Sequence, residues 1–322
     1  QRNLANNSVA HTDKPDSTSF MREWLSLVES GTGERGIFNR QAAQNQAAKN
    51  GRRDATYEFG TNPCSEIILR PYQFCNLTEV VIRSGDTEQD LERKIAVATI
   101  LGTLQATYTK FPYLRQVWQD NTNEERLLGV SLTGIMDNPL TTTANPDLQG
   151  LLERLRAVSV EVNKEWSAKL GIAVSTAITA VKPSGTVSQL VNSASGIHAR
   201  HSEYYIRTVR GAFNDPLTQF MKDQGIPWEP CAHQPDTTVV FSFPQKSPEQ
   251  AVLTENTTAI QQLDTWLAYQ RHYCEHKPSV TINVLVDEWL EVGAYVYKNF
   301  DDMSGVSFLP YSEHIYQQAP YQ

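Results

Sequence analysis

Cysteine is scarce in this sequence, which excludes a protein held together mainly by disulfide bonds. Only four of the 322 residues are cysteine, and no two of them form a C-x-x-C pair. Small secreted scaffolds are rich in cysteine, so a reducing cytoplasm is the expected compartment. Glycine and proline, at 17 and 16 residues, are too few for a collagen-like or low-complexity chain. The four cysteines are Cys64, Cys75, Cys231 and Cys274.

The chain also lacks a long apolar run and an excess of positive charge. Its longest weakly polar stretch, residues 95–104, is far shorter than the roughly 20 residues of a membrane span, so no transmembrane helix is expected. Lys and Arg number 28 against 36 Asp and Glu, a net charge of −8, which disfavours a nucleic-acid partner. The N-terminus, Gln1-Arg2-Asn3-Leu4, has neither an initiator Met nor the apolar core of a signal peptide, which suggests a trimmed or split polypeptide.

The residues that are present have the pattern of a globular α/β protein. Hydrophobic residues make up 40% of the chain, and the length suits one large barrel or two ordinary domains. A helix is predicted with Asn145 as its cap, Pro146 in its first turn and Gly171 just past its end. A second long helix is predicted from Asp86 and Gln89, which are spaced as a capping box.

Runs rich in β-branched residues predict several strands. Helical patterns at residues 249–276 and 286–300 lie between some of them. Strands alternating with helices favour parallel β/α units that are covered on both faces. No internal repeat and no low-complexity linker marks a domain boundary. The predicted strands are residues 172–181, 204–209, 237–243, 279–284 and 306–310.

The segment Thr61-Asn62-Pro63-Cys64-Ser65-Glu66-Ile67 is the most informative for chemistry. In an extended chain, side chains two residues apart project to the same side, so we expect Asn62, Cys64 and Glu66 on one face. Pro63 supports this, because it biases the preceding residue away from helical dihedrals and cannot donate to a sheet ladder. The pattern predicts an amide, a thiol and a carboxylate side by side at an exposed loop tip.

Cys64 has two possible chemical roles, as a thiolate nucleophile or as a carrier of hydrogen atoms. The carboxylate of Glu66 argues against the thiolate, because like charge raises the pKa of a thiol. A radical enzyme instead uses a neutral S–H, with a carboxylate for a substrate hydroxyl proton and an amide to orient the substrate. The alternative is that Cys64 is a small buried apolar residue and Glu66 is a solvated charge in a turn.

Cys75 follows Cys64 by eleven residues, which is enough for a loop to go out and return. This spacing allows the two thiols to serve one site, one carrying the radical and the other acting as reductant. The alternative for Cys75 is a packed core cysteine. Cys231 and Cys274 have no such neighbours and are predicted to be structural.

A second candidate site is Lys182-Pro183-Ser184-Gly185-Thr186-Val187-Ser188, at the end of a predicted strand. Backbone N–H groups and hydroxyls at the start of a following helix form a cradle suited to phosphates. The spacing is not that of a P-loop, and an ordinary turn is the alternative. His198 and His201 have no Cys or carboxylate at a spacing that completes a zinc site, so no metal site is predicted.

Together these motifs resemble those of ribonucleotide reductases, in particular the adenosylcobalamin-dependent, monomeric type that acts on ribonucleoside triphosphates. The resemblance spans nearly the whole chain, and the motifs occur in the family's order. They are Gly31-Thr32-Gly33-Glu34-Arg35-Gly36-Ile37-Phe38, Asn62-Pro63-Cys64-Ser65-Glu66-Ile67, Cys75-Asn76-Leu77, Lys182-Pro183-Ser184-Gly185-Thr186-Val187-Ser188, Ser195-Gly196-Ile197-His198, Tyr204-Tyr205-Ile206-Arg207 and Met303-Ser304-Gly305-Val306-Ser307-Phe308-Leu309-Pro310-Tyr311.

The resemblance implies part of a ten-stranded α/β barrel whose central finger loop carries Cys64. It also implies that breakage of the cobalt–carbon bond of adenosylcobalamin leads to a thiyl radical at Cys64, which takes the 3′ hydrogen of the ribose. Glu66 then manages the 3′-hydroxyl proton and Asn62 hydrogen-bonds the sugar. The 2′-hydroxyl leaves as water, and Cys75 is one of two reducing cysteines. The substrate phosphates are expected on Ser184, Gly185, Thr186, Val187 and Ser188.

Several family features are missing from this sequence. No cysteine precedes Cys64, whereas the family's other reducing cysteine lies far upstream, and neither the C-terminal dithiol nor the effector region is present. Residues 1–322 therefore resemble the C-terminal portion of the catalytic barrel, with residues 221–282 approximately in the cobalamin-contacting region. Such a chain is expected to need a missing N-terminal half or a complementary chain, and a thioredoxin-like reductant, and to be inactive alone.

Two other interpretations are open from the sequence. One is a non-catalytic nucleotide-binding remnant that retains the phosphate turn. The other is a reductase subunit whose radical comes from a metal-tyrosyl partner.

Overall fold

The computed structural model of the protein describes residues 8–33, 35–311, 318, 319 and 321, and strands and helices alternate along much of it. The N-terminal residues 1–4, on which the expectation of a trimmed chain rests, and Glu34 lie outside the described residues. The helices are α1 (Ser17–Ser30), α2 (Arg40–Ala48), α3 (Glu88–Gln105), α4 (Gln116–Glu125), α5 (Leu148–Leu170), α6 (Gly185–Leu190), α7 (Pro216–Asp223), α8 (Ala259–His272) and α9 (Trp289–Lys298). The strands are β1 (Val9–His11), β2 (Gly36–Asn39), β3 (Gly60–Thr61), β4 (Ile68–Leu69), β5 (Asn76–Val81), β6 (Leu128–Thr133), β7 (Tyr204–Ala212), β8 (Trp228–Pro230), β9 (Thr238–Lys246), β10 (Thr281–Val284) and β11 (Gly305–Pro310).

A continuous series of paired segments forms the main sheet. Strand β5 is parallel to β6, and β6 pairs with residues 177–180. The next residue, Val181, pairs with residues 277–279 just before β10. Strand β10 is parallel to β11, β11 is antiparallel to β2, and β2 is parallel to β1. The predicted α/β class is confirmed, and this order of pairing is consistent with part of a barrel wall.

The centre of the main sheet is deeply buried. All six residues of β6 are buried, because helices cover parallel strands and leave no face to solvent. Helix α3 packs against α5 and against both β5 and β6. The residues just before β5 and just after β6 therefore adjoin a well-packed part of the fold.

Two helices begin later than the sequence predicts. The capping box of α3 is formed by Thr87 and Asp90, one residue beyond the predicted pair Asp86 and Gln89. Here the hydroxyl accepts from the backbone three residues on, and the carboxylate reaches back to the cap. Helix α5 has Asp147 at its N-cap, so the predicted cap and proline precede the helix.

A separate three-stranded sheet has the order β7–β9–β8, and both of its pairings are antiparallel. The parallel β/α units expected from the sequence therefore do not extend to residues 204–246. Alternation of apolar and polar residues specifies which face a side chain lies on, but it does not specify the direction of the neighbouring strand. No helix among the described residues is both long enough and apolar enough to cross a membrane.

Candidate active site

A short hairpin presents Cys64. Strands β3 and β4 pair antiparallel, with Gly60 opposite Leu69 and Thr61 opposite Ile68, and we call residues 60–69 the finger loop. Cys64 lies at its tip and is exposed. The alternative that this cysteine is a buried apolar residue is therefore wrong.

The tip is a tight turn, which corrects the expected extended conformation. Ser65 donates its N–H to the carbonyl of Asn62 at 2.9 Å, and its φ of 66° is in the left-handed region. The side chain of Asn62 accepts the N–H of Ile67 at 3.0 Å, in the manner of asparagines that stabilise turns. Asn62, Cys64 and Glu66 therefore do not share one extended face, and Glu66 is 0% exposed while Cys64 faces solvent.

Glu66 is paired with a lysine from the phosphate-turn motif. Lys182 Nζ lies 2.7 Å from Glu66 Oε1. Burial acts to lower the pKa of Lys182, but the hydrogen bond and the charge of Glu66 outweigh burial and raise it. Glu66 Oε2 is buried and has no hydrogen-bond partner among the described residues. A carboxylate with one occupied and one unoccupied oxygen is suited to accepting a proton or a hydroxyl hydrogen bond.

The tip is anchored from the segment before β10. Lys277 Nζ donates to the carbonyl oxygen of Ser65 and, at 3.1 Å, to its hydroxyl. Ser279 Oγ donates to the carbonyl of Cys64 at 2.6 Å. Lys277 is 1% exposed, and burial lowers its pKa to about 8. A deeply buried amine therefore supports the turn that carries the exposed thiol.

A buried histidine anchors the returning strand of the finger loop. His276 Nδ1 accepts the N–H of Ile68 at 3.3 Å, and Nε2 lies 3.0 Å from the carbonyl of Leu128. Burial lowers the pKa of His276 to about 3, so the ring is neutral at physiological pH. A neutral ring has one accepting and one donating nitrogen, as these two contacts require.

Cys75 is half-buried, immediately before β5. Burial and, second, the charge of Glu66 raise the pKa of its thiol, while Arg53 and Lys182 oppose the rise. The thiol is therefore protonated at neutral pH, which suits a hydrogen donor better than a nucleophile. Cys231 and Cys274 are buried, in keeping with the structural roles predicted for them.

The predicted phosphate turn is the start of α6. Ser184 has a φ of 51° and donates its hydroxyl to Glu79 Oε1, while the hydroxyls of Ser188 and Ser195 lie 2.8 Å apart. Both hydroxyls at positions 184 and 188 are thus engaged by the protein. Gly185, Thr186 and Val187 are exposed, and the first N–H groups of a helix have no partner inside it.

A cavity of about 680 Å³ opens at the finger-loop tip, and its lining includes Asn62, Cys64 and Lys277. Pro183 lines it as well, but residues 184–188 are not among its described lining residues. A second cavity of about 530 Å³ shares Pro183 as a lining residue. The phosphate turn is therefore next to the cavity at Cys64 without forming its wall.

Sequence reasoning missed the two lysines as site residues. Lys182 is the first residue of the predicted phosphate-turn motif, but no feature of the sequence predicts its contact with Glu66, which is 116 positions away. Lys277 contacts a residue 212 positions away and follows His276 with no recognisable local pattern. Their roles depend on the main sheet, which brings residues 182 and 277 to one side of the finger loop.

Solved structures with a similar overall fold are ribonucleotide reductases. The fold matches a crystal structure of a B12-dependent, class II ribonucleotide reductase with a TM-score of 0.81 and 24% sequence identity, over 98% of this chain and 48% of that one. The alpha subunit of a class Id ribonucleotide reductase from Actinobacillus ureae matches with a TM-score of 0.59, 14% identity, 95% of this chain and 64% of that one. The chain therefore has the fold of the ribonucleotide reductases.

Sequence relatives make the assignment more specific. Adenosylcobalamin-dependent ribonucleoside-triphosphate reductases from Levilactobacillus brevis and Lactobacillus gasseri are 30% and 29% identical, each over 98% of this chain. The one from Euglena gracilis is 29% identical over 89% of the chain. The chain is homologous to these reductases, which confirms the resemblance seen in its motifs. It spans 39–46% of the length of these three curated relatives, and no protein-family model matches it.

Proposed function

We propose that this chain carries the radical site of a ribonucleotide reductase that uses adenosylcobalamin and reduces ribonucleoside triphosphates to 2′-deoxyribonucleoside triphosphates. The observation that carries the proposal is the exposed thiol of Cys64 at the mouth of a cavity of about 680 Å³. The buried Glu66–Lys182 pair and the protonated Cys75 lie around the same finger loop. The names of the homologous reductases support this reaction.

The reaction assigns one task to each of these side chains. The thiyl radical of Cys64 takes the 3′ hydrogen atom of the ribose, and Glu66 accepts the 3′-hydroxyl proton. The 2′-hydroxyl leaves with a proton as water. Cys75 and a second thiol supply two electrons and two hydrogens and become a disulfide. Cys64 then returns its hydrogen atom to C3′, so the net change is ribonucleotide plus dithiol to deoxyribonucleotide, disulfide and water.

Besides its proposed contact with the sugar, Asn62 stabilises the turn of the finger loop. Its side-chain oxygen is occupied by the N–H of Ile67, so its amide NH₂ is the group that remains for a ribose hydroxyl. For the phosphates, the backbone N–H groups of Gly185, Thr186 and Val187 are better placed than the serine hydroxyls at 184 and 188. A helix N-terminus provides such donors for anions.

In support of this cofactor, the Cys64 thiol is exposed and lines an open cavity. When bound, adenosylcobalamin supplies an organic radical by cleavage of its cobalt–carbon bond. We assign residues 221–282 to the region that contacts it. In support, Lys277, Ser279, Val280 and Thr281, near the end of that range, line the cavity.

The proposal includes partners and a compartment. The second reducing thiol is expected from an N-terminal half or a complementary chain, since no cysteine in this sequence precedes Cys64. A thioredoxin-like protein is the expected reductant, and the free thiols favour the cytoplasm.

A matched pair of cysteine substitutions tests the proposal. The chain is combined with its N-terminal half, adenosylcobalamin and a dithiol, and formation of deoxynucleotide is measured. We expect Cys64→Ser to abolish it, because an alkoxyl radical is not formed in place of a thiyl radical, and we expect the buried Cys231→Ser to remain active. Activity of Cys64→Ser at the wild-type level overturns the mechanism.

Two further measurements separate the competing functions. Calorimetry on the chain alone distinguishes a remnant, which binds nucleotide without its complement, from a half-enzyme that needs the complement. Activity that depends on cobalamin and is sensitive to light supports the proposed radical source. Activity that requires a metal-tyrosyl protein instead overturns it.

A further inference from the structure

We infer that Lys182 is a positioning residue that holds Glu66 by one oxygen and leaves the other oxygen for the substrate. The inference rests on the proposed function and adds a residue to it. It starts from an asymmetry: Glu66 Oε1 lies 2.7 Å from Lys182 Nζ, whereas the buried Oε2 has no hydrogen-bond partner among the described residues. Buried carboxylate oxygens are normally satisfied, so an orphaned one needs a ligand or a specific reason.

The residue that carries the orphaned oxygen directly follows part of the cavity wall in the chain, although Glu66 is not itself among the described lining residues. Residues 61–65, which immediately precede Glu66, line the cavity at the finger-loop tip, and so does Lys277. The backbone N–H of Lys277 donates to the carbonyl of Glu66 at 3.1 Å. A substrate hydroxyl bound beside Cys64 is therefore the natural partner for Oε2.

Lys182 is itself held in place, as a positioning residue must be. Its backbone N–H donates to Ser131 Oγ at 2.9 Å, and Ser131 Oγ donates to Glu79 Oε1 at 3.2 Å. Glu79 also accepts the hydroxyl of Ser184, two residues after Lys182. The lysine is thus fixed between β6, β5 and the phosphate turn, while its amine extends to the finger loop.

The charges around the pair show why a cation is needed. Lys182 is within electrostatic reach of Cys64 and Glu79 as well as Glu66, and Glu66 acts in turn on Cys75 and Lys277. Lys277 is committed to Ser65 by two hydrogen bonds. Lys182 is therefore the cation that contacts the carboxylate directly. Without it, a carboxylate at 0% exposure has no direct cationic partner to offset the cost of its burial.

The first test uses the chain alone and needs no cofactor. The side-chain amine of Lys182 is titrated by NMR, with its signal assigned by its loss in Lys182→Met. We expect Glu66→Gln to lower the pKa of Lys182 by at least about one unit, a tenfold change in proton affinity. Asp86→Asn, which removes the partner of a different lysine, Lys94, is the control and leaves Lys182 unchanged. A Lys182 titration that Glu66→Gln does not move overturns the inference.

The second test uses the chain combined with its N-terminal half. We expect Lys182→Met to lower kcat at least about tenfold with little change in KM, because the lysine acts through Glu66 on the transition state. The acidic limb of the pH–rate profile should move to higher pH. Lys182→Arg keeps the cation and should retain the wild-type profile. Lys182→Gln replaces the methionine variant if that variant does not fold.

The outcomes separate this inference from the proposed function. A wild-type pH profile in a folded Lys182→Met or Lys182→Gln enzyme overturns the positioning role while leaving the reductase intact. If the wild type itself makes no deoxynucleotide, the proposed function fails and the positioning role fails with it. In that case the NMR titration still reports whether the ion pair exists.

Discussion

The main sheet and the antiparallel sheet β7–β9–β8 differ in the charged side chains that lie around them. Around the main sheet, Arg53 and Glu125 form an ion pair whose side chains are 1% and 3% exposed, and Lys277 is buried beneath the finger loop. In the antiparallel sheet region, Lys222 instead lies over the rings of Phe213 and Trp228, both of which are 43% exposed. Buried charge is costly unless paired, and both of these buried cations bond to the finger loop, Arg53 through the carbonyl of Ile68 and Lys277 through the carbonyl of Ser65.

The largest expected effect in this comparison follows from removing Arg53. Its guanidinium contacts Glu125 at 2.9 and 3.0 Å and the carbonyl of Ile68 at 2.9 Å. Arg53→Met removes both of these short contacts and leaves the buried carboxylate of Glu125 with Arg70 as its cation at 3.8 Å, which we expect to lower the free energy of unfolding by about 3 kcal/mol. Denaturant titration measures the change.

Lys222→Met is the matched variant in the other region. An exposed cation–π contact contributes about 0.5–1 kcal/mol, so this variant should be nearly as stable as the wild type. Equal losses for Arg53→Met and Lys222→Met would remove the distinction between the two regions.

The next effect is a pH dependence caused by Lys277. Burial lowers its pKa from 10.5 to about 8, so between these values the unfolded chain binds a proton that the folded chain does not. Stability therefore rises with pH across this window. Relative to Lys277→Met, the wild type should gain about 3 kcal/mol between pH 8 and 10.5, measured by denaturant unfolding at several pH values.

An exposed lysine provides the control for that measurement. Lys169 lies on α5 with a side chain that is 56% exposed. The stability difference between the wild type and Lys169→Met should stay nearly constant over the same window. A constant difference for Lys277→Met as well would mean that Lys277 is solvated in the folded protein.

The smallest effect compares two glycines in strands. A Cβ at Gly129 would lie 2.5 Å from Leu77 Cδ2, 2.9 Å from Ile67 Cδ1 and 3.4 Å from Cys75 Sγ. We expect Gly129→Ala to cost about 1–3 kcal/mol through overpacking. It should also change the rate at which Cys75 is alkylated in the folded protein, because the added methyl group touches its sulfur.

Gly211 in β7 is the counterpart in the antiparallel sheet. A Cβ there would lie 2.5 Å from Thr218 Oγ1, so Gly211→Ala should also destabilise. Its effect should not reach Cys75. If both alanine variants alter the alkylation of Cys75 equally, the two sheets are coupled more tightly than the separate pairing of their strands suggests.

Regular elements were predictable where local pattern determines structure. The helical spacing of apolar residues before Gly171 predicts α5. In the structure Gly171 has a φ of 66° and ends the helix as a left-handed C-cap. The predicted strands at residues 204–209, 237–243, 279–284 and 306–310 likewise match β7, β9, β10 and β11 to within a few residues. The strand predicted at residues 172–181 is shorter, since only residues 177–181 pair with neighbours.

The finger loop shows where prediction from sequence stops. The sequence predicts an exposed loop tip, and Cys64 is exposed there, but Glu66 is buried and the pattern of alternate residues wrongly predicts an extended chain. The turn depends on the hydrogen bond from the N–H of Ile67 to the Asn62 side chain and on the left-handed conformation of Ser65. Neither feature has a distinctive sequence pattern. The contacts of Lys182 and Lys277 depend on strand pairing over more than a hundred residues, which no local pattern encodes.

The way the finger-loop tip is anchored has a practical consequence for position 64. Ser279 and Lys277 donate hydrogen bonds to the backbone carbonyl oxygens of Cys64 and Ser65, respectively. Neither of these bonds depends on the side chain at position 64. A selenol or a small spectroscopic label introduced there reports on redox and radical behaviour without rebuilding the scaffold that presents it. The backbone contacts thus fix the position of residue 64, whichever reactive atom its side chain carries.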